Sequence, residues 1–221
     1  VISQLKALGI KHVVMLTGDS DNAAKAACQK LGINEYRAQV LPENKADMVK
    51  AFKEMGLNGI EVPEELGGLG LNRITHAALY EEMAKADAGF FTTISVANLA
   101  LKPLIIGGNT ELAQRAADIL LNGGFGAFCL TEPMAGSDAS NNKTTAVKDG
   151  DEYVLNGRKC FITNGGVADF YIITAMTDKS KGVKGMSTFY VEKGTPGLSA
   201  GNEENKMGIR TSNTTDVVFE D

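Results

Sequence analysis

Two short runs carry residue types from which chemistry can be built: residues 128–138, FCLTEPMAGSD, and residues 161–166, FITNGG. The first leaves a β-like stretch and enters a turn rich in hydroxyls, small side chains and free backbone N–H groups. The second places an aromatic, a hydroxyl and a Gly-Gly bend at the end of another strand. Hydroxyl and backbone donors aimed at the heteroatoms of a flat, electron-poor ring would stabilise the charge that arrives when that ring accepts a hydride. An aromatic side chain would cover the ring's other face.

Other chemistries find little support. His12 and His76 are the only histidines and stand far apart in sequence, which argues against a His-based triad or a zinc site. Cys28, Cys129 and Cys160 are odd in number and lack metal-ligand spacing, so they read as small buried hydrophobes in a reducing cytoplasm. Of the formal charge of −5, residues 1–55 carry +2 (eight Lys and Arg, six Asp and Glu) and the remainder −7 (fourteen against twenty-one). That balance argues against nucleic acid as a partner. No apolar run reaches the roughly 20 residues that span a bilayer, so no membrane is expected either. Nothing resembles a secretion signal.

Three kinds of text surround the two runs. Residues 12–16, the stretch to Lys30 with Gly32 as left-handed terminator, and residues 36–41 follow strand–helix–strand logic, with Asp19 or Ser20 as helix cap. A helix from Pro42 carries Ala46, Val49 and Phe52. From Asn72 to Leu121 the pattern is helical, with Thr75 and Thr110 as caps and an apolar stretch from Phe90 to Leu101 between them. After Gly123 the period becomes two. Asp149-Gly150 signals a hairpin and Asn156-Gly157 a second tight turn; strands are expected over 143–148, 153–155, 159–163, 170–177, 185–192 and 216–220. About seven short strands indicate an antiparallel barrel or sandwich. From residue type alone, Phe161 reads as core, and Glu61, Glu64 and Glu65 as a solvated loop.

The two runs closely resemble the flavin-binding signatures of the acyl-CoA dehydrogenase family. The resemblance extends from residues 56–70, GLNGIEVPEELGGLG, to residues 206–212, KMGIRTS, and 217–221, VVFED. It implies an α+β fold: part of a helical domain over residues 55–122 and a middle β-domain over 123–221, the C-terminal helical domain of the family being absent. It also implies FAD as cofactor, with Phe128, Leu130, Thr131, Gly136, Ser137, Phe161, Ile162 and Thr163 as the cofactor-binding set. Thr131 would bond the pyrimidine side of the flavin, and Thr163 would donate its hydroxyl near N5. Phe161 would cover the ring where many relatives carry Trp. Gly136 and Ser137 would lie by the ribityl-phosphate region, Ser137 also touching the acyl-CoA substrate.

The implied reaction is α,β-dehydrogenation of acyl-CoA to trans-2-enoyl-CoA. Electrons would pass to an electron-transfer flavoprotein, in a homo-oligomer that is a tetramer in the family. The family's proton-abstracting glutamate lies in the C-terminal domain, so no catalytic residue and no metal ligand is assigned. At residues 108–120 this chain reads GNTELAQRAADIL instead of the family's usual stretch, and Met134 stands where many relatives have Gly or Asn.

Residues 1–54 resemble a different family. VMLTGD at 14–19 and VLPENK at 40–45 are similar to the phosphorylation domain of cation-transporting P-type ATPases, a haloacid-dehalogenase-like Rossmannoid fold. Thr17 and Lys45 would take that family's phosphate-holding roles. The phosphorylated aspartate and the magnesium-binding motif have no counterpart, and phosphoryl transfer needs both. The chain is therefore expected to be a chimera or fragment joined near Lys53–Gly56 and inactive by itself. The alternatives are a remnant ATPase domain or a chimera without catalytic function.

Overall fold

The computed structural model describes residues 14–16, 21–33, 35–37 and 56–220. Thr17, Lys45, Lys53, the Asp19 and Ser20 caps and the helix expected from Pro42 lie outside the described residues. Near the N-terminus, β1 (Val14–Leu16) pairs in parallel with β2 (Glu35–Arg37) around helix α1 (Asp21–Leu31). Gly32 ends that helix with φ 69°, the left-handed geometry that glycine adopts without strain. One βαβ unit is common to many folds and does not carry the haloacid-dehalogenase-like reading.

The helical layer comprises α2 (Arg73–Ala86), α3 (Ala88–Leu99), α4 (Lys102–Ile106) and α5 (Thr110–Leu121). The caps sit earlier than the sequence suggests. The Asn72 side chain accepts from the N–H groups of Ile74 and Thr75, and Asn109 accepts from Leu112. Thr75 and Thr110 are thus inside the first turns, because Asn fills the cap position at least as well as Thr. Asp87 closes α2 and caps α3 by accepting from the Phe90 N–H at 2.9 Å.

The stretch Ala88–Ile106 is, by length and composition alone, apolar enough to cross a membrane, with mean hydropathy 1.5 over its 19 residues. At 19 residues it approaches the roughly 20 that span a bilayer, and it is divided between α3 and α4. In the fold its Ile94, Ala97, Ala100, Leu101 and Leu104 are buried against Val62, Leu120, Phe125, Phe170 and Ile172. Each large side chain so buried contributes about 1.5–3 kcal/mol.

The second layer is a mixed sheet of seven strands: β3 (Gly126–Cys129), β4 (Thr145–Asp149), β5 (Glu152–Thr163), β6 (Phe170–Met176), β7 (Met186–Glu192), β8 (Leu198–Glu203) and β9 (Thr214–Phe219). β6 lies between β3 and β7, and also meets β4 through the single pair Thr145–Met176. The order continues β4-β5-β9-β8. The expectation of a purely antiparallel sheet is corrected, since β3 runs parallel to β6. The apolar run of β6, buried along its whole length, is the signature of a strand covered on both faces. Its Phe170 and Ile172 enter the core beneath the helices, while Tyr171 and Ile173 enter a second core with Cys129, Ile162, Val217 and Phe219.

The Asp149–Glu152 pair closes the expected hairpin, with Gly150 at φ 59°. Asn156-Gly157, by contrast, is not a turn. β5 runs straight through it, exchanging β4 for β9 as partner. A Cβ at Gly157 would lie 2.8 Å from the Thr144 backbone, so the glycine serves close approach of two chains. β8, absent from the sequence reading, covers β9 along the far edge.

Candidate functional site

The two motif runs meet. The Cys160 N–H donates to the Thr131 carbonyl oxygen at 2.9 Å, which puts the start of the FITNGG run beside the LTEP turn. Within that turn, Glu132 and Ala135 exchange both backbone hydrogen bonds, at 3.2 and 3.0 Å. Asn141 Nδ2 donates to the Met134 carbonyl at 2.9 Å and holds the turn's tip. Thr131 and Thr163 are half-buried, and neither hydroxyl bonds to another described group. Gly136 and Ser137 are exposed. An added Cβ at Gly136 would meet nothing within 4 Å, so no contact within the protein demands glycine there.

Phe161 departs from its expected place in the core. It is 66% exposed and sits at φ 56°, in a register shift between Lys159 and Ile162 where β5 pairs with β9. The bulge supplies the reason: one extra residue turns the ring outward while Cys160 and Ile162 stay buried. A bulky side chain in left-handed backbone is costly, and such strain concentrates at functional sites.

After Thr163 the chain turns through Asn164 at φ 64°. Asn164 Nδ2 donates to the carbonyls of Thr93 on α3 (3.0 Å) and Gly126 on β3 (3.1 Å). The Gly166 N–H donates to Asn213 Oδ1 at 2.8 Å. Helix, sheet and the 206–213 loop therefore hold the turn that carries Thr163. Phe128 on β3 and Leu130 just after it are half-buried, and Ile162 is buried in the second core.

Beneath the LTEP turn lies a buried ion pair that the sequence reading did not single out. Lys159 Nζ is 2.8 Å from Glu132 Oε1, with side-chain exposures of 0% and 4%. Glu132 also accepts from the Thr144 hydroxyl (2.6 Å), the Thr144 N–H (3.0 Å) and the Lys143 N–H (2.6 Å). Lys159 donates further to Thr174 Oγ1 at 3.2 Å and the Leu130 carbonyl at 3.3 Å. Burial alone pushes the Glu132 carboxyl up, but the Lys159 ammonium, the Thr144 hydroxyl and the two backbone donors outweigh it and hold the group below the usual carboxylate range. Burial pulls Lys159 down, and Glu132 offsets this only in part. The signal in the sequence was a lysine at an inward position of a strand.

The remaining polar candidates separate from this site. Glu61 is not a solvated residue: it accepts from the Tyr80 hydroxyl at 2.5 Å and pairs with Lys102, while Glu64 and Glu65 are exposed as expected. Arg210 donates to the Lys206 carbonyl at 2.9 Å. The three cysteines are free and buried, and burial pushes the Cys129 thiol up. Among the described residues no group of His, Cys, Asp and Glu could hold a metal ion. Open grooves of about 780 and 550 Å³ include no residue of the 128–138 and 161–166 runs.

Sequence matches assign this geometry to a family. Residues 127–221 match the acyl-CoA dehydrogenase middle domain, and residues 20–124 match the acyl-CoA dehydrogenase N-terminal domain. The chain belongs to the acyl-CoA dehydrogenase family.

The short-chain specific acyl-CoA dehydrogenase of Clostridium acetobutylicum is 45% identical over 176 residues, 78% of this chain and 46% of that protein. A chain in the structure of the electron transferring flavoprotein of Acidaminococcus fermentans superposes with a TM-score of 0.76 at 46% identity, covering 80% of this chain and 47% of that one. A glutaryl-CoA dehydrogenase of Mycobacterium smegmatis, in complex with FADH2, gives a TM-score of 0.72 at 30% identity, covering 79% and 44%. The chain thus spans about half the length of the relatives it matches. The N-terminal domain match begins at residue 20, and nothing in these comparisons supports the ATPase resemblance of residues 1–54 or the chimera expected from it.

The flagged residues fit a flavin of this family. An exposed aromatic, two half-buried unclaimed hydroxyls and a glycine facing open space are what a planar ring with a ribityl tail would engage.

Proposed function

We propose that this acyl-CoA dehydrogenase chain seats FAD on the 128–138 and 161–166 runs and serves the α,β-dehydrogenation of an acyl-CoA to trans-2-enoyl-CoA. The observation that carries the reading is the Cys160–Thr131 hydrogen bond, which sets the Phe161–Thr163 segment alongside the LTEP turn. FAD, when bound, supplies the two-electron acceptor for the hydride leaving the substrate's β-carbon. Thr131 holds the pyrimidine edge, where negative charge collects, and Thr163 places its hydroxyl near N5. Phe161 covers one face and excludes water from it. Phe128, Leu130 and Ile162 back the two runs, and Gly136 and Ser137 face the ribityl-phosphate and the acyl-CoA. No residue of this chain is assigned the role of α-proton acceptor.

The same reading proposes an electron-transfer flavoprotein as electron acceptor and a homo-oligomeric assembly in the cytoplasm. The test is an FAD titration of the protein followed by visible absorbance. Thr131→Ala and Thr163→Ala are each expected to weaken binding about three- to tenfold, the value of one hydrogen bond. Equal FAD affinity in both variants and the wild type would sink the assignment of these runs.

A further inference from the structure

Neutralising Glu132 is not all that Lys159 does. Its ammonium has three N–H donors, and the structure gives each an acceptor: Glu132 Oε1 at 2.8 Å, Thr174 Oγ1 at 3.2 Å and the Leu130 carbonyl oxygen at 3.3 Å. The carbonyl belongs to the same peptide unit as the Thr131 N–H, which donates to no described group. Electron density drawn toward the oxygen of a peptide leaves its N–H a stronger donor, because resonance couples the two ends. A fully buried ammonium exerts this pull without solvent screening.

Asn142 reinforces the arrangement. Its Nδ2 lies 3.1 Å from Thr174 Oγ1 and 3.5 Å from the Leu130 oxygen. Glu132 opposes the downward pull of burial on the Lys159 ammonium. The other titratable groups beside the ammonium are the Cys129 and Cys160 thiols, which burial pushes up. Stability alone does not account for such a pair, since well-packed apolar residues often replace a buried ion pair without loss.

The geometry points to Lys159 as a positioning residue, its ammonium fixing and polarising the Leu130–Thr131 peptide so that the Thr131 N–H is a strengthened donor toward the flavin's pyrimidine edge. The inference rests on the proposed flavin reading for the identity of the acceptor, but the polarised peptide exists without it. Removing the charge should therefore alter the Thr131 amide in the free protein. With flavin bound, it should also disfavour the reduced, negatively charged ring.

Two variants test this. Lys159→Met keeps the aliphatic stem and removes the charge. The double variant Lys159→Met/Glu132→Gln removes both charges, leaves an amide carbonyl at position 132 to accept from Thr144, and covers the case in which the single variant fails to fold. In the flavin-free protein the Thr131 amide proton resonance is expected to move upfield in each folded variant. With flavin bound, the reduced-to-oxidised ratio at fixed potential is expected to fall about tenfold, a negative midpoint shift of about 30 mV for two electrons. Lys102→Met, which breaks the ion pair with Glu61 on the helical side, should change neither.

An unmoved Thr131 amide in the double variant overturns the inference whatever the flavin does. An amide that moves while the midpoint stays put overturns it too, because the strengthened N–H then faces something other than the ring. An amide that moves in a wild-type background that binds no flavin supports the role of Lys159 and instead removes the flavin reading.

Discussion

Arg158 and Lys159 are sequence neighbours on β5, and each pairs with a carboxylate, yet the two pairs occupy opposite faces of the strand and different physical regimes. Arg158 donates to Asp216 across the β5–β9 ladder with 61% of its side chain exposed. Lys159 reaches Glu132 with none of its side chain exposed. In the first pair water competes with the partner, and such contacts contribute about 0–1 kcal/mol. In the second, each charge has lost its hydration and depends on the other and on a fixed set of hydrogen-bond partners. Two base–acid pairs one position apart therefore do different work, one decorating a ladder and the other holding the turn that carries Thr131.

The comparison is broken most severely from the buried side. Lys159→Met leaves Glu132 without its counter-charge and is expected to cost about 3–5 kcal/mol in urea unfolding. A loss below 1 kcal/mol would place the pair in the same class as Arg158–Asp216. Gly157→Val tests the register that sends successive side chains to opposite faces. Its Cβ would fall 2.5 Å from Thr144 Oγ1 and displace one of Glu132's donors, so about 1–3 kcal/mol should be lost together with a weakened Thr131 site.

Acid sharpens the contrast. The folded-state pKa of Glu132 lies below its unfolded value, so its contribution is fully present above the ordinary carboxylate range and drains away as pH falls through the depressed value. Stability measured against pH should therefore show a shallower acid limb in the Lys159→Met/Glu132→Gln double variant than in the wild type. Limbs of identical slope would mean that Glu132 is not held ionised by the fold. The smallest effect belongs to the exposed pair. Arg158→Ala should change the unfolding free energy in urea by no more than about 1 kcal/mol and leave FAD affinity unaltered.

Much of the scaffold was legible in the residues. The helical stretch from Asn72 to Leu121 and the Asp149-Gly150 hairpin signal structure locally, although the caps are Asn72 and Asn109 rather than the expected Thr75 and Thr110, and the LTEP and FITNGG runs pointed to the turns that the fold joins. What escaped reading depends on partners distant in sequence. Asn156-Gly157 looks like a turn until Thr144 is seen pressing on it. Phe161 looks like core until the bulge reverses its direction. Glu61 looks solvated until Tyr80 and Lys102 converge on it from two helices. Lys159 carries the same lesson, because a charge in a strand is ambiguous until the face it occupies is known.

The left-handed backbone at Phe161 sets stability against function at one position. Any side chain there other than glycine adds steric cost on the order of 1–3 kcal/mol. Glycine would relieve it at once. A search for thermal tolerance alone would thus be drawn toward Phe161→Gly, gaining a calmer strand and surrendering the only aromatic surface that this bulge presents.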